Sequence, residues 1–165
     1  DFFLCTRDAL DVVFLKHGIA DLALRNDLMQ AYMTLDAYPE VPDMLRAIRA
    51  MGVSTAILSN GTPGMLRSAC EAAGLDRLLD EVLSVEEVGV FKPDRRVYQL
   101  AVRQFGCDPE QMVFVSSNAW DAQAAHHFGF RTIRVNRTGE PDEYALRHNG
   151  VREIADLSAL PALLA

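Results

Sequence analysis

Apolar and polar positions alternate along this chain in two rhythms, one helical and one typical of short buried strands. Residues 3–17 place Leu4, Leu10, Val13 and Phe14 at helical spacing, and Gly18 follows where a helix would end. A second helical pattern runs from Asp21 to Thr34, through Leu22, Leu24, Leu28, Met29 and Tyr32. Tyr38-Pro39-Glu40-Val41-Pro42 breaks it. From there helices and apolar strands take turns. The pattern predicts helices at 42–51, 63–73, 94–105 and 121–128. It predicts strands at 53–58, 81–85, 112–115 and 131–135, an edge strand at 151–154 and a short terminal helix at 157–164. Residues 137–150 read as a polar loop. Such alternation implies a parallel α/β sheet with right-handed crossovers. The two leading helices do not alternate with strands. The chain therefore divides into a helical unit, residues 1–37, and an α/β core, residues 38–165.

Three polar segments follow apolar runs: Ser59-Asn60-Gly61, Lys92-Pro93-Asp94 and Ser116-Ser117-Asn118-Ala119-Trp120-Asp121. In open α/β sheets ligands bind beyond the carboxyl ends of strands, where helix N-termini present free N–H groups. The three segments are expected to form one site. Each also has an ordinary structural reading. Ser59 and Asn60 would serve as helix caps, Lys92 as a solvated surface lysine and Asp121 as a carboxylate at a helix N-terminus. Tyr98 and Trp120 would serve as core residues.

Composition narrows the choice. Half of the 165 residues are apolar and 24% are charged, which suits a globular domain with a sizeable core. A formal charge of −7, with no Lys/Arg stripe, argues against a nucleic-acid partner. No apolar run approaches the ~18 residues of a membrane span. Cys5, Cys70 and Cys107 are odd in number and fit no CxxC spacing, so they read as reduced thiols of a cytoplasmic protein. His126 and His127 are adjacent and cannot share a helical face, so they do not form a two-histidine metal pair.

Leu58-Ser59-Asn60-Gly61-Thr62-Pro63, Phe91-Lys92-Pro93-Asp94-Arg95-Arg96-Val97-Tyr98 and Ser116 to Asp121, in this order, closely resemble the type II (L-2-haloacid) dehalogenases of the HAD superfamily. The resemblance covers nearly the whole chain. It implies a HAD-like Rossmannoid parallel sheet with helices on both faces, and makes residues 1–37 part of a small helical cap. The implied reaction is metal-free and needs no cofactor. A carboxylate displaces halide from C2 of a short L-2-haloacid with inversion, and water then hydrolyses the aspartyl ester to a D-2-hydroxyacid.

The resemblance assigns Lys92, Asp121, Asn118 and Ser116 to catalysis. Lys92 keeps the nucleophile ionised, Asp121 orients Lys92 or the hydrolytic water, Asn118 positions that water, and Ser116 supports the carboxylate pair. Ser59 is assigned chiefly to the substrate carboxylate and Asn60 to the halide. Tyr98 faces the site, and Trp120 and Phe2 wall its apolar side. The partners implied are a 2-haloacid, halide and a second copy of the chain in a homodimer. The family's nucleophilic aspartate and halide-binding arginine have no counterpart here. Both are expected upstream of Asp1, the aspartate on a central strand between those ending at Ser59 and Ser116, in a longer chain. The superfamily's phosphatases share the fold, the serine and the lysine, but hold magnesium with acidic residues at the fourth motif, where this chain has only Asp121. Two alternatives stay open: a magnesium-dependent phosphatase and, for a chain truly starting at Asp1, an inactive pseudoenzyme or binding module.

Overall fold

A computed structural model describes residues 1–165. Seven α-helices and five strands alternate much as the periodicity predicts. The first helix, α1 (Phe2–His17), starts where the Asp1 carboxylate accepts from the Leu4 N–H and ends at Gly18, whose φ of 66° is left-handed. Helix α2 (Leu22–Ala31) is capped in the same way by Asp21 and is shorter than the pattern predicts. Then come α3 (Val41–Ala50), β1 (Ala56–Ser59), α4 (Pro63–Ala72) and β2 (Glu81–Ser84). A 3-10 turn at Val85–Glu87 precedes α5 (Arg95–Phe105), β3 (Val113–Ser116), α6 (Ala119–Phe128) and β4 (Arg131–Val135). The chain closes with β5 (Arg152–Ile154) and α7 (Leu160–Leu164).

All strand pairs are parallel. Strand β1 pairs with β2, so that Ser59 lies opposite Ser84. The other sheet has the order β3–β4–β5, with Ser116 opposite Arg134. No strand joins the two sheets, and β1 and β3 each keep one unpaired edge. Helices cover both faces. On one, Met44, Leu45 and Ile48 of α3 and Leu160 of α7 pack on Ile133 of β4. On the other, Tyr98 of α5 and Ala125 of α6 enclose Phe130, with Leu58 and Phe114 beside them. This two-sided burial is why β3 reads as an apolar run rather than an alternating strand.

Several expectations need correction. Residues 53–55 precede β1 rather than forming part of it. Lys92 does not follow a strand; it lies on an irregular segment after the 3-10 turn. Helix α6 begins at Ala119, two residues before Asp121, because the apolar Ala119 packs against Ala122, Leu146 and Val151. The apolar stripe of the leading helices is largely unburied. Phe14 and Met29 are covered, but Val13, Leu15, Leu22 and Leu28 are exposed.

Candidate active site

The cap reading of Ser59 and Asn60 fails, because Thr62 caps α4: its Oγ1 accepts from the Met65 N–H at 3.2 Å. Ser59 and Asn60 are left for other work. The Ser59 Oγ accepts from the Gly61 N–H at 3.1 Å, which leaves its own hydroxyl proton unassigned. The Asn60 Oδ1 accepts from the backbone N–H of Lys92 at 3.0 Å, which turns the Nδ2 donors outward. This strand tip therefore offers donors and has its acceptors engaged, as suits an anion. Ser84 fixes the loop from below: its buried Oγ donates to the Gly61 carbonyl at 2.7 Å and accepts from the Glu86 N–H.

Thirty-two residues after Asn60, Lys92 turns inward. Its Nζ donates to the Asp121 Oδ2 at 2.9 Å, and the two side chains are only 8% and 6% exposed. The ammonium also lies 4.9 Å from the centre of the Phe114 ring. Neither the surface-lysine reading nor the simple helix-end reading of Asp121 survives this geometry. Asp121 is held by two further donors: the Tyr98 hydroxyl reaches Oδ1 at 2.8 Å and the Ser116 Oγ reaches Oδ2 at 3.1 Å. Ser116 in turn accepts from the Asn118 N–H at 3.2 Å, which shapes the turn into α6. The Asn118 side chain makes no hydrogen bond with the rest of the chain.

Burial pushes the Lys92 pKa below its ordinary 10.5, and the Asp121 carboxylate opposes that fall. Burial, helped by the neighbouring Asp121, pushes the Tyr98 phenol upward, so it stays protonated and donating. Three donors hold the Asp121 carboxylate in place beside Lys92. No group of three or more His, Cys, Asp or Glu side chains is placed to hold a metal ion.

The structure thus brings Lys92, Asp121, Ser116 and Tyr98 into one network and joins Asn60 to it through the Lys92 backbone. Trp120 is 39% exposed, and Phe2 meets Phe91 edge-on at 6.3 Å between ring centres. Beside the network, Ser116, Ser117 and Asn118 line a cleft of about 360 Å³ together with Tyr38, Asn136, Arg137 and Glu140. Sequence reasoning did not single out Phe114 or Ser84. Phe114 carries no signal beyond its place in an apolar run, and the register that sets Ser84 against Ser59 is absent from a one-dimensional pattern.

Residues 6–129 match the family described as haloacid dehalogenase-like hydrolase. The (S)-2-haloacid dehalogenase 1 of Pseudomonas sp. (strain CBS-3) is 44% identical over 168 residues, covering 99% of this chain and 72% of that protein. Among solved structures, a dehalogenase superposes with a TM-score of 0.95 at 41% identity, over all of this chain and 73% of that one. The L-2-haloacid dehalogenase from Xanthobacter autotrophicus with chloropropionic acid covalently bound superposes with a TM-score of 0.86 at 31% identity, over 99% of this chain and 76% of that one.

Proposed function

The chain belongs to the haloacid dehalogenase-like hydrolases, and from that premise we propose how its strand tips act on a carbon–halogen bond. It is a hydrolase of the (S)-2-haloacid dehalogenase kind, converting short (S)-2-haloacids into D-2-hydroxyacids. The observation that carries the residue assignment is the buried Lys92–Asp121 pair lying beside a loop of free donors.

The substrate carboxylate is held by the Ser59 hydroxyl, and the departing halide by the Asn60 Nδ2. The attacking carboxylate belongs to the aspartate that the family reaction uses, on a strand between β1 and β3. Lys92 directs its remaining N–H groups there and keeps that carboxylate ionised. A new C–O bond forms at C2 as the carbon–halogen bond breaks, the halide leaves with the bonding pair, and the configuration inverts. Water positioned by Asn118 then attacks the ester carbonyl carbon; the acyl C–O bond breaks, one proton of the water passes to the departing hydroxyacid oxygen and the other to solvent, and the aspartate carboxylate is regenerated. Asp121 keeps Lys92 charged and aimed, while Tyr98 and Ser116 hold Asp121. Trp120 and Phe2 wall the apolar side of the substrate, with α1 and α2 as part of a cap over the strand tips. The exposed Val12, Leu15 and Leu22 support pairing of this hairpin with a second copy. Three unpaired cysteines support a reducing, cytoplasmic setting.

Chloride release from (S)- and (R)-2-chloropropionate by the longer protein that carries the strand with the attacking aspartate, with and without EDTA, tests this reading. It expects release from the (S) enantiomer that EDTA does not reduce. Magnesium-dependent phosphate release from phosphate esters, without chloride release, would replace it with the phosphatase.

A further inference from the structure

Residues 1–37 share no hydrogen bond or ion pair with residues 38–165. The ties of Asp1, Arg7, Asp11 and Arg25 stay within the first unit. Beyond the covalent link, an aromatic contact, Phe2 on Phe91, reaches across. The connection from Ala31, where α2 ends, to Val41, where α3 begins, leads from the hairpin into the α/β core.

That connection is loose at one end and clamped at the other. Residues 35–37 form no regular structure and no side-chain hydrogen bond. Tyr38 and Glu40 meet Arg137 instead. The Arg137 guanidinium lies 3.6 Å from the centre of the Tyr38 ring and pairs with the Glu40 carboxylate. Glu40 also accepts from the Leu157 N–H at 3.4 Å. Arg137 and Glu40 between them so join three segments that are far apart in sequence. Arginine suits the task because its planar group stacks on an aromatic face while pairing with a carboxylate at its edge.

Arg137 itself stands on a rigid base. Asn136 and Glu140 exchange two hydrogen bonds, of 2.9 and 2.8 Å. Beneath them the Arg134 side chain, 1% exposed, donates to the Pro141 carbonyl at 3.0 Å. Tyr38, Arg137 and Leu157 also wall the cleft whose other side is Ser116, Ser117 and Asn118. The clamp and the Ser116–Asn118 turn therefore share one cleft.

We propose that Arg137 is a positioning residue: it fastens residues 38–40, the root of the helical hairpin, to the rim of the cleft that the Ser116–Asn118 turn lines. Hydrogen exchange read by mass spectrometry on the intact protein tests this in Arg137→Gln, Arg137→Lys and Glu40→Gln. In Arg137→Gln, exchange at 38–41 and at Leu157 rises by about tenfold while β3 and β4 stay protected, as expected for losing a partly buried ion pair and a stacked ring. Arg137→Lys, which keeps the charge and loses the flat group, restores part of the protection. Unchanged exchange at 38–41, or a uniform rise over the whole chain, overturns the proposal. Should Arg137→Gln not fold, Glu40→Gln and Arg137→Lys carry the same comparison. A second readout rests on the hydrolysis proposed above: KM for 2-chloropropionate rises more than kcat falls. A parent protein that carries the strand with the attacking aspartate and releases no halide would refute that function, and the exchange pattern would still judge the clamp.

Discussion

Replacing Asp121 with asparagine keeps its shape and removes the charge that faces Lys92. The pair is 2.9 Å apart with both side chains more than nine-tenths buried, so solvent does little to screen it. Leaving one member of such a pair unpartnered costs about 3–5 kcal/mol. The lysine escapes most of this by losing its proton, since a neutral Nζ can accept from the new amide. Removing the carboxylate that opposes the effect of burial therefore makes the Lys92 pKa fall further. The fall adds to the one that burial already imposes.

The sign then follows from proton counting. Between its folded pKa and 10.5, Lys92 binds fewer protons in the folded than in the unfolded chain, so stability rises with pH across that window. The window is wider in Asp121→Asn. The variant is therefore penalised most at pH 6 and progressively less toward pH 10. Urea unfolding of both proteins across that range measures the penalty, and NMR of the lysine ε-position follows the titration directly. A penalty independent of pH, with an unmoved lysine titration, would refute the pairing as the source of the effect.

Two further substitutions probe the supports of the site. Tyr98→Phe removes a hydroxyl that donates to Asp121 at 2.8 Å from a fully buried ring, while the ring keeps its packing on Phe114, Phe128 and Phe130. It should cost about 1–3 kcal/mol in urea unfolding and slow halide release. Ser84→Ala strips the Gly61 carbonyl of its buried donor, which should cost a similar ~1–3 kcal/mol. It should also raise KM for the haloacid more than it lowers kcat, because the Ser59–Asn60 loop loses its support; Ser84→Thr should restore much of both.

How far the sequence could be read depended on the range of each interaction. The strand tips were visible because polar residues stop abruptly against apolar runs, as at Ile57-Leu58-Ser59 and Phe114-Val115-Ser116. The buried fate of Lys92 was legible only through the ordered motifs around it, since no strand leads into it. Boundaries slipped where two residues could do one job. Asn118 and Asp121 both suit a helix start, and the packing of Ala119 decides between them. Helical periodicity placed a helix at α1, yet periodicity says nothing about what covers its apolar residues. Glu40 and Arg137 stayed hidden for a similar reason. They are 97 positions apart, and only the fold brings them together.

The most direct test of the account is chloride release from (S)-2-chloropropionate by the longer protein that carries the strand with the attacking aspartate, and by its Lys92→Met variant, with folding checked by circular dichroism. A buried ammonium at the seat of a reacting carboxylate should be worth at least about 100- to 1,000-fold in rate. The account predicts a loss of that size in a variant that still folds. Turnover within a few-fold of the parent's would contradict it and return Lys92 to a purely structural ion pair.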